Sequence, residues 1–161
     1  SQTRPAVHEK WENEETCDDL QNRLNSLVLS DFRDETALPG PTGELNLLSH
    51  HTRAPILCAG PGKEAAQAQY DAVCQLGGTG LPARGFVHEQ SLVSLFAIGG
   101  VIWWGDDHQA QAYASALADR DGPIVPLILT HPQKADVLLE RHVCIDTTAS
   151  GGNTDLLNGA S

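Results

Sequence analysis

Cysteine and histidine are the residues of this chain best suited to covalent or metal chemistry, and their spacing argues against both. Cys17, Cys58, Cys74 and Cys144 form no CxxC pair and no Cys/His arrangement of zinc-binding type. Cys58 and Cys144 lie in apolar runs, and Cys74 falls on the apolar side of a predicted helix, so all are expected to behave as small hydrophobes. His50 and His51 are adjacent at a predicted bend, where neighbours point apart, and no carboxylate or cysteine follows at ligand spacing. Asp106, Asp107 and His108 look like a catalytic triplet only by adjacency, and an aspartate there serves as a helix N-cap without any chemistry. Trp103 and Trp104 invite a ring-stacking reading, yet strand neighbours face opposite ways, which puts one ring in the core and the other on a helix or a partner.

One motif remains, at Gly60, Gly62 and Ala65, which satisfies G-x-G-x-x-[GA] between an apolar run and a helical pattern. Such a turn sets a pyrophosphate at a helix N-terminus. Pro61 stiffens it, however, and Glu64 brings a negative charge to the phosphate position. No acidic residue closes a following strand about twenty residues on, where a ribose partner is needed. The turn is therefore read as Rossmann-like geometry without a ligand, with an NAD-binding module as the alternative.

The elements that would hold these residues alternate. A helix is predicted over Cys17–Leu29, from apolar Leu20, Leu24, Leu27 and Val28 at helical spacing. Pro39–Gly43 reads by itself as a surface loop. Further helices are expected over Lys63–Leu76, Glu89–Phe96 and Asp107–Ala118. Strands are expected at Gly99–Trp104 and Gly122–Leu129, with a short one near Arg84–Val87. Strands alternating with helices give the α/β class: a small, Rossmann-like, three-layer domain with a mostly parallel sheet, a β-hairpin arm and an extended C-terminal tail. Residues 1–36 read as an acidic linker, or solvated arm, and leading helix. Residues 37–137 form the α/β domain, and residues 138–161 the β-arm and tail.

Length and charge narrow the classes further. A chain of 161 residues suits one domain. Ten Lys and Arg against 21 Asp and Glu leave a net charge of −11, which opposes nucleic-acid binding and docking on an anionic membrane surface. No apolar run reaches membrane-spanning length and no signal-peptide pattern opens the chain, so a cytoplasmic location without membrane insertion is expected. Ser1 at the start and the lack of methionine suggest a piece of a longer polypeptide.

The last stretch, LLERHVCIDTTASGGNTDLLNGAS, begins as a strand and then changes: Thr147 to Asn153 contains no bulky side chain and two adjacent glycines. A backbone of that kind is either a frayed end or one that fits a groove by edge pairing. Together with PGPTGELN at Pro39–Asn46 and RDGPIV at Arg120–Val125, this tail resembles the C-terminal domain of long-chain proline utilisation A proteins. These are bifunctional enzymes joining a flavin-dependent proline dehydrogenase to an NAD-dependent L-glutamate-γ-semialdehyde (pyrroline-5-carboxylate) dehydrogenase. The resemblance covers Leu38–Asn153. It implies a noncatalytic domain similar to the nucleotide-binding fold of aldehyde dehydrogenases, whose tail docks on the catalytic aldehyde dehydrogenase domain and helps close the channelling cavity.

By that resemblance Glu140, Arg141, Thr147, Thr148, Ala149, Gly151, Gly152 and Asn153 form the docking tail, and Pro41, Thr42, Gly43, Glu44 and Asn46 match a second signature. On the same resemblance the second signature heads a strand pair, Leu45–Ser49 and Ala54–Ala59, with His50–Arg53 at the bend. FAD and NAD would belong to the larger enzyme and not to this segment. The partner would be the aldehyde dehydrogenase domain of the same polypeptide or of a neighbouring protomer. The chain departs from the family at Leu45, where an arginine is common, at Cys144–Asp146, where Ser-x-Asn is common, and after Asn153. No cysteine here has the Gly-Gln-x-Cys-like context of the superfamily's nucleophile, and no glutamate in a Leu-Gly-Gly setting is present as its general base. A self-contained enzyme using Cys144 or a histidine is the remaining reading.

Overall fold

A computed structural model describes residues 4–146. In chain order the elements are α1 (Cys17–Asn25), β1 (Arg33–Leu38), β2 (Glu44–Thr52), β3 (Ile56–Cys58), α2 (Gly62–Gln75), β4 (Gly80–Pro82), α3 (Glu89–Ser94), β5 (Gly100–Ile102), α4 (Asp107–Ala118), β6 (Leu127–Ile128), α5 (Lys134–Val137) and β7 (Leu138–Asp146). The described residues divide into two compact units, one from residues 4–32 and 52–139, the other from residues 33–51 and 140–146.

The first unit is an α/β fold around a four-stranded parallel sheet in the order β4-β3-β5-β6. Ile56, Leu57 and Cys58 are wholly buried, as a strand covered on both faces must be. Alternation splits the core in two. Leu57, Val101 and Trp103 pack with Leu20 and Leu24 of α1, Leu92 of α3 and Tyr113 of α4. Ile56, Cys58, Ile102 and Trp104 pack with Ala65 and Val73 of α2 and with Val137. The two tryptophans thus face opposite ways, as their adjacency predicts. Trp103 meets Tyr113 edge-on at 5.3 Å, and the Trp104 indole donates to the Thr130 carbonyl at 3.0 Å.

The helices form for local reasons. Thr16 caps α1 by accepting from the Asp19 amide, and Asp106 caps α4 by accepting from Gln109. On α2, Gly62, Ala65, Ala66, Gln69 and Val73 recur at the spacing of one buried face.

Several expectations are corrected here. Ala54–Ala59 does not return alongside Leu45–Ser49; its strand is β3 of the parallel sheet, because a segment apolar at every position cannot leave one face in water. The predicted strand near Arg84–Val87 lies instead at Gly80–Pro82, and Phe86 makes only an isolated bridge to Glu14. Gly122–Leu129 contracts to Leu127–Ile128, since Pro123 and Pro126 have no N–H to give to a ladder. The predicted solvated arm is not solvated throughout: Trp11 packs against the core and Glu15 is buried.

The second unit is built on the three-stranded sheet β1-β2-β7. β1 and β2 pair antiparallel from Arg33↔His51 to Leu38↔Asn46. The link between them is a turn in which the Pro41 carbonyl accepts from Glu44 N–H at 3.0 Å, with Gly43 at φ 84°, a conformation glycine takes without strain. The two histidines lie within β2 and not at a bend.

Candidate functional site: a signature-bearing sheet and a bridged crevice

In the second unit, the signature residues that are described lie on one sheet and its turn. Pro41, Thr42 and Gly43 form the β1–β2 turn, Glu44 and Asn46 open β2, and Glu140 and Arg141 lie on β7. Ser49 Oγ on β2 donates to the Arg141 carbonyl at 3.4 Å. His50 bridges the three strands, with Nδ1 2.7 Å from Asp34 on β1 and Nε2 3.7 Å from Glu140 on β7. Thr147, Thr148, Ala149, Gly151, Gly152 and Asn153 lie outside the described residues.

Across the same sheet the Cys144 thiol donates to Glu44 Oε1 at 2.8 Å. That hydrogen bond, with a smaller burial effect and the nearby carboxylates, holds the thiol above its ordinary range. Cys17 is pushed up chiefly by burial, and Cys58 far up for the same reason. A raised pKa leaves less thiolate, the opposite of what a nucleophile needs. Cys74 and Cys144 are exposed, which corrects the expectation that they pack as buried hydrophobes. At pH 8, Glu44→Ala should speed modification of Cys144 by a thiol reagent, because a lower pKa means more thiolate, while Cys58 should react only in denaturant. Mass spectrometry of the labelled peptides against time checks both.

In the first unit, the Gly60–Ala65 turn sits at the carboxyl ends of β3 and β5, where the strand order reverses and open α/β sheets take ligands. In the turn Gly60 has φ 91° and Gly62 φ 83°, and Ala65 is buried on α2. Three of the turn's backbone groups are already engaged. The fully buried Gln69 side chain grips Gly60 from both sides, accepting from its N–H at 3.0 Å and donating to its carbonyl at 2.9 Å. Glu9 accepts from the Glu64 N–H at 2.9 Å, so a carboxylate of the chain itself stands at the helix N-terminus, against Gly62. The Trp11 indole lies against Gly60 and donates to the Ala59 carbonyl at 2.8 Å.

Sequence reasoning missed Glu9 and Gln69. Glu9 is 55 residues from its partner in an acidic run that reads as solvated. Gln69 had a signal, a polar residue in the otherwise apolar or small stripe of α2. Among the described residues no group of three or more His, Cys, Asp or Glu side chains is placed to hold a metal ion, and no helix is long and apolar enough to cross a membrane.

A small α/β unit with a parallel sheet, a strand-end crevice crossed by the chain's own leading segment, and a second, signature-bearing sheet is the class this fold defines. No family model matches the chain. It is, however, 30% identical over 143 residues to the bifunctional protein PutA of Escherichia coli K12, and 28% identical over 143 residues to that of Salmonella typhimurium LT2; each match covers 74% of this chain and 11% of the relative. The chain is homologous to a segment of the bifunctional PutA proteins, and it spans about 11% of the length of the relatives it matches. Among solved structures, a bifunctional proline utilization A protein aligns at 26% identity and TM-score 0.47, covering 58% of this chain and 13% of the other. A variant of the Bradyrhizobium japonicum protein gives the same values.

Proposed function

We propose that this chain is a noncatalytic domain of a bifunctional proline-catabolic enzyme that oxidises proline to glutamate through pyrroline-5-carboxylate. On this reading residues 147–153 extend from β7 as a tail that docks on the aldehyde dehydrogenase domain of the same polypeptide or of a neighbouring protomer. The docked tail closes the cavity between the two active sites and steadies the aldehyde site. FAD and NAD serve the catalytic domains, the enzyme works in the cytoplasm, and this segment binds no nucleic acid.

The observation that supports the reading is that Glu44 and Asn46 on β2 lie in the same sheet as Glu140 and Arg141 on β7, so the described parts of the two signatures share one sheet. Homology to a PutA segment supports it. The test is to remove residues 141–161 from the larger enzyme and to measure proline dehydrogenase activity and coupled proline-to-glutamate flux separately; loss confined to the coupled flux supports the docking role.

The nucleotide-binding alternative meets two obstacles in the Gly60–Ala65 turn, the Glu9 carboxylate on the Glu64 amide and the Gln69 clamp on Gly60. Calorimetric titration of the chain with NAD should give no binding heat, and saturable heat would return the alternative to first place.

A further inference from the structure

We propose that residues 4–11 are a hinged lid over the carboxyl edge of the parallel sheet, opening without unfolding the α/β unit beneath. This inference is independent of the docking tail.

The leading segment is attached in two ways. From Asn13 onward the attachment is deep. Phe86 N–H donates to the Asn13 carbonyl at 2.8 Å, Glu15 N–H donates to the Phe86 carbonyl at 3.0 Å, and the buried Glu15 carboxylate is held by Arg23. These contacts fix the segment to the body just before α1 begins. Ahead of that anchor the described residues make four polar ties, two at exposed positions and two part-buried, the Arg4–Gly105 and Trp11–Ala59 bonds. Arg4 bonds to Asp107 and to the Gly105 carbonyl, and Glu9 to the Glu64 amide. Val7 and Trp11 supply the main apolar contacts, one on each side of the sheet, since Val7 packs with the α2-side cluster and Trp11 with the α4-side cluster. A segment held by two apolar anchors that are only partly buried, and by four hydrogen bonds of which two are exposed, belongs to the less stable part of a fold.

What the lid divides gives the opening a consequence. A cleft of about 940 Å³ lies on one side, lined by Lys63, Gln67 and Arg84, and one of about 430 Å³ on the other, lined by Pro61, Trp103 and Asp106. His8, Glu9, Lys10 and Trp11 border both, so the lid is their shared wall. Swinging it about Glu12 and Asn13 joins the clefts into one crevice that runs past the Gly60–Ala65 turn. It also frees the Glu64 amide and the Ala59 carbonyl.

Hydrogen exchange followed by mass spectrometry on the whole chain tests this. In the unaltered protein, residues 4–11 should exchange more slowly than an unstructured peptide but at least roughly tenfold faster than α2 and α4. Glu9→Ala should speed exchange of residues 4–11 and of the Glu64 region by roughly tenfold, the effect of removing a helix cap, and leave β5 and α4 unchanged. Trp11→Phe, which keeps a ring and loses the indole donor, should act in the same direction. The proposal is overturned if residues 4–11 exchange in step with α2 and α4, if they exchange as an unstructured peptide, or if Glu9→Ala and Trp11→Phe leave them unchanged or speed the whole unit equally.

Discussion

Replacing Arg23 with alanine should lower the unfolding free energy of the chain by about 3–5 kcal/mol, the usual result of leaving a buried charge without its partner. The Glu15 carboxylate has a side chain only 5% exposed, and Arg23 Nη1 meets its two oxygens at 2.9 and 2.7 Å. Arg23 Nη2 also donates to the Pro82 carbonyl at 2.7 Å, and Glu15 accepts from the Arg84 amide at 2.8 Å. One pair therefore ties the leading segment, α1 and the loop after β4 together. Replacing both residues, Glu15→Gln with Arg23→Leu, should cost much less than Arg23→Ala alone, because no unpaired charge remains. Urea unfolding of the single and double variants measures the difference. An Arg23→Ala loss below about 1 kcal/mol would place the pair among ordinary surface ion pairs.

The second large effect follows from the proposed role and concerns the larger enzyme that this role implies. With residues 141–161 removed, proline oxidation should hold within about twofold, while coupled formation of glutamate should fall by roughly tenfold and acquire a lag. The reason is concentration: an intermediate released into a closed cavity meets the second site at a high effective concentration, whereas one released through an open wall is diluted before it reacts. Exogenous pyrroline-5-carboxylate at saturating concentration separates leakage from damage to the aldehyde site. Restored turnover identifies leakage, and turnover that stays low identifies loss of support for that site. Unchanged coupled flux contradicts the docking role.

The α/β core was legible because its elements are local. The apolar stripes of α2 and α4, the Asp106 cap and the opposed tryptophans are all set by residues within a turn or two of each other. Strand partners were less so. The polar β2 paired with β1 upstream and not with the apolar β3 downstream, because burial on both faces claimed β3 for the parallel sheet, a choice that depends on the whole fold. The acidic opening stretch gave no hint of its fate, since Glu9 and Glu15 differ from their solvated neighbours only in partners 55 and 69 residues away, and at Arg23. The signature segments could be read singly, but only folding brings Glu44 beside Cys144 and His50 beside Glu140.

The claim on which the functional account rests is that the small-residue tail of this noncatalytic domain seats against a separate, catalytic module. A cryo-electron-microscopy structure of the full-length enzyme measures this directly. The account predicts residues 147–153 in contact with the aldehyde dehydrogenase domain, along the wall of the cavity between the two active sites. Those residues lying in solvent, away from every other domain, would contradict it.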